Sequence, residues 1–140
     1  MHKCRLAQLY ILMNKYEEAK PLCEEVYERR SKNLGPENPD TVSSLFGLAV
    51  LHENMGNLSE AIELHRRCLA IRRTKKGDDN PKTLTSMHSV AMLQAKIDGI
   101  AAAQPLLEEC LKRRRLVLGD DSEYTRSTKI ALSEIKQKLS

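Results

Sequence analysis

The feature that most constrains this chain is a loop that returns. Leu34-Gly35-Pro36-Glu37-Asn38-Pro39-Asp40-Thr41 recurs as Gly77-Asp78-Asp79-Asn80-Pro81-Lys82-Thr83 and as Gly119-Asp120-Asp121-Ser122-Glu123-Tyr124-Thr125, with a spacing of 42 residues both times. A self-similar period of this length implies a stacked array, in which one unit cannot bury its apolar face alone and its neighbours cover it. Each copy carries its own punctuation. Gly35, Gly77 and Gly119 stand where a helix ends in a left-handed conformation. Asn38, Asn80 and Ser122 then fall at N-cap positions, with Pro39 and Pro81 in the first helical position. The third copy has Glu123 there instead, and an acid suits the positive end of a helix dipole.

The apolar positions repeat with the loops. Leu6-Ala7 matches Leu48-Ala49 and Val90-Ala91; Leu9 matches Leu51 and Leu93; Ala19 matches Ala61 and Ala103; Leu22 matches Leu64 and Leu106. Within one frame Leu45, Leu48, Ala49 and His52 share a helical face, and Ala61, Leu64, His65, Cys68 and Ile71 share another. Short turns at Met13-Asn14-Lys15, Gly56-Asn57 and Asp98-Gly99 divide each unit into a hairpin of two helices. The spacing predicts helices over 2–13, 16–33, 39–55, 58–75, 81–97, 100–117 and 123–139. In Asn57-Leu58-Ser59-Glu60 the sequon is read as a helix cap and capping box, not as a glycosylation site. The last segment keeps Leu132 and Ile135 in register with Leu6 and Leu9 but turns Ser127, Lys129, Lys136 and Lys138 outward, as a solvating cap helix would.

Composition agrees with an all-α chain: no Trp, one Phe and six Gly among 140 residues, of which 30% are charged. No apolar run approaches the roughly 18 residues needed to cross a bilayer. Polar residues after Met1 do not suggest a secretory leader. The net charge of +4 is modest. Basic runs at Arg29-Arg30, Arg72-Arg73 and Lys112-Arg113-Arg114-Arg115 fall at predicted helix C-termini, where cations offset the dipole, so no nucleic-acid partner is expected. Cys4, Cys23, Cys68 and Cys110 lack metal-ligand spacing, which points to no metal and a reducing compartment.

The pattern Leu48-Ala49-Val50-Leu51, Gly56-Asn57-Leu58-Ser59-Glu60-Ala61, Cys68-Leu69-Ala70-Ile71-Arg72, closed by Gly77 and Asn80-Pro81, resembles a tetratricopeptide repeat. The long period and the Leu-Gly-Pro-Glu-Asn-Pro-Asp-Thr linker are similar to kinesin light chain repeats, a type also common in signalling ATPases. The resemblance implies a right-handed superhelical solenoid of three helical hairpins, over 1–38, 39–80 and 81–122, with a C-terminal capping helix over 123–139, all in one domain spanning 1–140. The first unit lacks the opening Gly and Asn-Pro punctuation, so it is either divergent or part of a longer array.

In such a fold the first helix of each hairpin lines a concave groove. By register the groove-facing residues are Gln8 and Ile11 with Cys4 and Leu12; Ser43, Phe46, Val50, Glu53 and Asn54; Thr85, His88, Met92 and Lys96 with Ala95; and Ile130. Phe46, Val50, Met92 and Ile11 would suit a peptide or helix with apolar anchors. The Lys, Asn and Arg clamp of chaperone-tail receptors is missing, since its positions hold Cys4, Gln8, Gly47, Thr85 and Ser89. The Asn pair of kinesin light chains is replaced by Cys4-Arg5, Phe46-Gly47 and His88-Ser89.

Catalytic signals are weak. His52-Glu53-Asn54-Met55-Gly56 starts like a zinc-protease motif, but glycine replaces the second ligand. His52 and His65 fall on buried faces, no phosphate loop is present, and the turns interrupt any coiled coil. The expected function is therefore a non-catalytic protein-binding adaptor or scaffold without a cofactor, and with no membrane partner. The alternative is a structural subunit or assembly factor of a larger complex, docked through Leu6, Leu9 and Tyr10 or a convex basic edge. A cytoplasmic location is expected, with a mitochondrial one after presequence removal as the alternative.

Overall fold

The computed structural model describes residues 2–140, which form seven helices: α1 (His2–Leu12), α2 (Tyr16–Leu34), α3 (Pro39–Asn54), α4 (Leu58–Lys76), α5 (Pro81–Ile97), α6 (Ile100–Leu118) and α7 (Glu123–Leu139). Every boundary lies within one residue of the sequence expectation. The reason is local chemistry: the Asn38 and Asn80 side chains each accept a hydrogen bond, at 2.9 Å, from the backbone N–H two residues on. Ser122 does the same for Tyr124 at 3.3 Å. Each thereby satisfies a donor that the first helical turn would leave orphaned.

The helix exits differ from expectation in one respect. Gly35 has φ 94° and ψ 154°, and Gly119 has φ 85° and ψ 166°, so ψ is extended and not left-handed helical. This corner of backbone space is essentially closed to any residue with a Cβ. The requirement for glycine is therefore stricter than a left-handed cap would impose. Inside the first hairpin, Asn14 takes φ 59° at the place where the second hairpin has Gly56, a role that asparagine tolerates.

The chain divides into two compact units, residues 1–68 and 69–140, with the division inside α4. In the first, α2 packs on α1 and on α3. Its interior is built from Ala7, Ala19, Leu45, Ala49, Leu51 and Ala61, all nearly or fully buried. Small residues at helix crossings permit close approach, so extra volume there has nowhere to go. Ala61→Leu is expected to lower stability by about 1–3 kcal/mol through overpacking, as measured by denaturant unfolding.

In the second unit α6 packs on α5 and on α7. Ala91, Ala103, Leu107, Leu111, Ala131, Leu132 and Ile135 form one apolar cluster. Leu69, Leu84, Met87, Val90 and Cys110 form another. α7 contributes Ala131, Leu132 and Ile135 to the interior while Ser127, Lys129, Lys136 and Lys138 are exposed. No helix among the described residues is long and apolar enough to cross a membrane.

The basic runs are resolved into distinct roles. Arg30 Nη1 donates to the Asp40 carbonyl at 3.1 Å and to Ser44 Oγ at 2.7 Å. Arg72 Nη1 donates to the Lys82 carbonyl at 3.2 Å and to Ser86 Oγ at 2.9 Å. Arg114 Nη1 donates to the Tyr124 carbonyl at 2.9 Å and to Thr128 Oγ1 at 2.7 Å. One arginine per repeat thus reaches from the end of one hairpin to the first turns of the next helix. Arg72 and Arg114 are buried in doing so. Arg73 pairs with Asp78 and Glu109, and Arg113 with Asp78, Asp79 and Glu109. These side chains thus do more than offset a helix dipole: they hold consecutive elements together.

Candidate functional site

On α3, residues Ser43, Val50 and Asn54 are exposed and Phe46 and Glu53 are half-buried, whereas Leu45, Leu48 and Leu51 of the same helix are buried. The helix therefore has a core face and a free face, and the five predicted positions lie off the core. Phe46 meets the edge of the buried His65 ring, with centroids 4.8 Å apart and planes at 73°. Glu53 Oε1 approaches Nε2 of the same histidine at 3.7 Å. His65 thus packs against Phe46 at the border of the free face, with the Glu53 carboxylate nearby. Phe46 is consequently part of the packing as well as of the face. Gln8 is exposed and Ile11 half-buried on α1, alongside half-buried Cys4 and exposed Leu12.

At the middle of the α3 free face sits Gly47, one turn from Ser43 and from Val50. It is exposed and helical, and a Cβ added there would meet nothing within 4 Å. Gly47→Ala is expected to raise stability by about 0.5–1 kcal/mol, read as a higher thermal midpoint, because glycine is a poor helix former and no packing opposes the change.

The second unit treats the equivalent positions differently. Thr85 is half-buried, its hydroxyl donating to the Pro81 carbonyl at 3.1 Å, while Lys96 is exposed. Met92 and Ala95 pack against the α5–α6–α7 cluster, so they serve the core in part. His88 Nδ1 lies 3.0 Å from Thr128 Oγ1 of α7, the same hydroxyl that accepts from Arg114. Burial, helped by the Arg114 charge, lowers the His88 pKa from 6.5 to about 4, so the ring is neutral near pH 7. Its nitrogen is engaged in holding α7. Ile130 of α7 is exposed.

The histidine of the zinc-protease-like stretch and the two buried cysteines have packing partners. His52 is buried, and its Nδ1 lies 3.3 Å from Asn57 Nδ2, an amide that donates to it. The Cys110 thiol is buried beside the Leu84 carbonyl at 3.5 Å, and its pKa is raised by desolvation. Cys68 faces the Val42 carbonyl at 3.8 Å, one repeat earlier. Among the described residues no group of three or more His, Cys, Asp or Glu is placed to hold a metal ion.

The helical hairpins, the periodic caps and the two-faced first helices define a class, and comparison with known families agrees. The family model described as Tetratricopeptide repeat matches residues 1–74 and 47–115. The chain belongs to the tetratricopeptide repeat family, and its fold is all-α and TPR-like. Among solved structures it is similar to the nearly identical TPR-like repeats of a Podosopora anserina protein assigned as a kinesin light chain, with TM-score 0.86 and 25% identity over 97% of this chain. A single-residue variant of that protein matches equally, with TM-score 0.86 and 25% identity over 96% of this chain. BtubC (BKLC) from P. vanneervenii shares the fold, with TM-score 0.83 and 21% identity over 98% of this chain. The chain spans 64%, 63% and 54% of these three structures, respectively. No curated protein matches it. Folds of this family generally act as protein-interaction modules.

Proposed function

We propose that this chain is a non-catalytic adaptor or scaffold that holds a peptide or helix against the free faces of its first-position helices. The observation that carries this reading is α3: Ser43, Val50 and Asn54 remain exposed around Gly47, with Phe46 packed at the border against His65 and Glu53 beside it. A rigid face with an apolar centre and polar ends suits a segment that orders on binding, so the entropy cost falls on the partner. The 1–140 span acts as one repeat domain in this reading, needs no cofactor and works in the cytoplasm.

The test is capture from a native lysate with the wild-type chain and a Val50→Glu/Asn54→Arg variant whose helicity is unchanged by circular dichroism. A partner held by wild type and lost by the variant supports the reading. A partner held equally by both removes α3 from the binding surface. Of Leu6, Leu9 and Tyr10, Leu9 is 52% exposed while Leu6 and Tyr10 are half-buried, and the exposed Leu9 favours a second reading, in which the α1 end docks into a larger complex. That reading expects Leu9→Lys to abolish capture while the α3 variant does not.

A further inference from the structure

Residues 69–140 hold 14 basic and nine acidic residues, a net of +5, against nine basic and ten acidic, a net of −1, in residues 1–68. Part of the excess is consumed internally by the arginine contacts described above. The remainder is concentrated along α7 and the end of α6. A cleft between these helices is lined by Glu108, Leu111, Lys112, Arg115, Leu116, Leu132 and Lys136. Leu116 is 77% exposed there. Arg115 pairs with Asp120 at 3.1 Å and Glu108 accepts from Gln104 at 2.9 Å, but neither the Lys112 nor the Lys136 ammonium has a partner among the described residues.

The repeat supplies an internal comparison. Position by position, Lys112 stands where the earlier copies have Glu28 and Ala70, and Leu116 where they have Lys32 and Thr74. Lys136 stands where they have His52 and Gln94. Lys112, Leu116 and Lys136 thus have no counterpart of the same kind in the earlier copies, whereas Leu111 and Arg115 of the same cleft keep the Leu69 and Arg73 of the second. The helix face beside it also differs. On α5, Leu84 and Met87 are fully buried; one period on, α7 has Arg126 and Lys129, both exposed. Lys136 continues that stripe, and Glu134, the acid nearest in sequence, falls roughly 160° around the helix from it.

We infer that the α6–α7 cleft with the Lys129–Lys136 stripe is a second docking surface, whose occupant is an acidic amphipathic helix from a protein partner. An apolar helix would leave these ammonium groups facing hydrocarbon, whereas carboxylates on the approaching helix pair with Lys112, Lys129 and Lys136. Apolar side chains between those carboxylates cover the exposed Leu116. Binding here does not depend on the α3 face.

The experiment titrates the full chain into a fluorescein-labelled three-heptad peptide that is helical, with glutamates flanking a leucine stripe, and follows anisotropy at low and moderate salt. Binding is expected to weaken with salt and by about tenfold or more in a Lys112→Glu/Lys136→Glu variant. A Leu116→Ser variant is expected to weaken it with the charges intact, and Val50→Glu/Asn54→Arg to leave it unchanged. Circular dichroism confirms that each variant is folded. The inference is overturned if the glutamine version of the peptide binds as well, or if the double charge reversal binds as wild type. Equal binding of polyglutamate overturns the helix and its apolar stripe. Tighter binding of anionic phosphatidylserine vesicles or duplex DNA, lost in the same charge-reversal variant, also overturns it, as does a wild-type dimer in sedimentation that this variant abolishes.

Discussion

Replacing Arg114 by alanine is expected to cost about 2–3 kcal/mol in a denaturant-unfolding experiment, whereas replacing the adjacent Arg115 costs at most about 1 kcal/mol. The two residues share charge and helix but not environment. Arg114 is 3% exposed and supplies the hydrogen bonds to the Tyr124 carbonyl and Thr128 hydroxyl. Its guanidinium also lies 5.5 Å from the centre of the Tyr124 ring. Removing it deletes charge-assisted bonds and leaves two acceptors and a cavity between α6 and α7. Arg115 makes an ion pair with the largely exposed Asp120, which water and salt screen. Equal losses for the two variants would contradict the bridging role.

Acid should unfold the chain earlier than its carboxylates alone require, because of His88. Its pKa falls from 6.5 to about 4 on folding. The unfolded chain therefore binds more protons between those values, and stability rises with pH across that window. The His88 contribution is fully present above pH 6.5 and is lost as pH falls toward 4. The gap corresponds to about 3 kcal/mol. The physical cause is plain: an imidazolium would have to share Thr128 Oγ1 with the Arg114 guanidinium in a largely dry site. The check compares wild type with His88→Gln from pH 7 to pH 4, subtracting one stability curve from the other. A difference curve flat across this range would show that His88 titrates freely.

The fold was legible in the sequence because its signals are local. Asn38-Pro39 and Asn80-Pro81 start helices by side-chain geometry within a few residues, and the glycines stop them by backbone geometry at a single residue. The roles of Arg30, Arg72 and Arg114 were not legible. Each has a second arginine at its side, and the dipole favours every cation in a final turn alike. Which of them turns inward is set by the rotation of the helix against a neighbour that begins nine residues later. His88 shows the same limit: register placed it on a free face, but Thr128, 40 residues on, draws its ring toward α7. Met92 likewise lies near the face by register and against the core by packing.

The arginine contacts carry a consequence for how such a chain can grow. In every copy the donor lies near the tail of one 42-residue segment and both acceptors near the head of the next, ten and fourteen positions on. A segment cut at this period is a tile with complementary edges. Deleting residues 39–80 would set Arg30 ten and fourteen positions before Lys82 and Ser86, the same partners that Arg72 now holds. Duplicating the segment would preserve every junction. Tandem gain and loss of whole units can therefore proceed without a new fastening having to evolve at each seam.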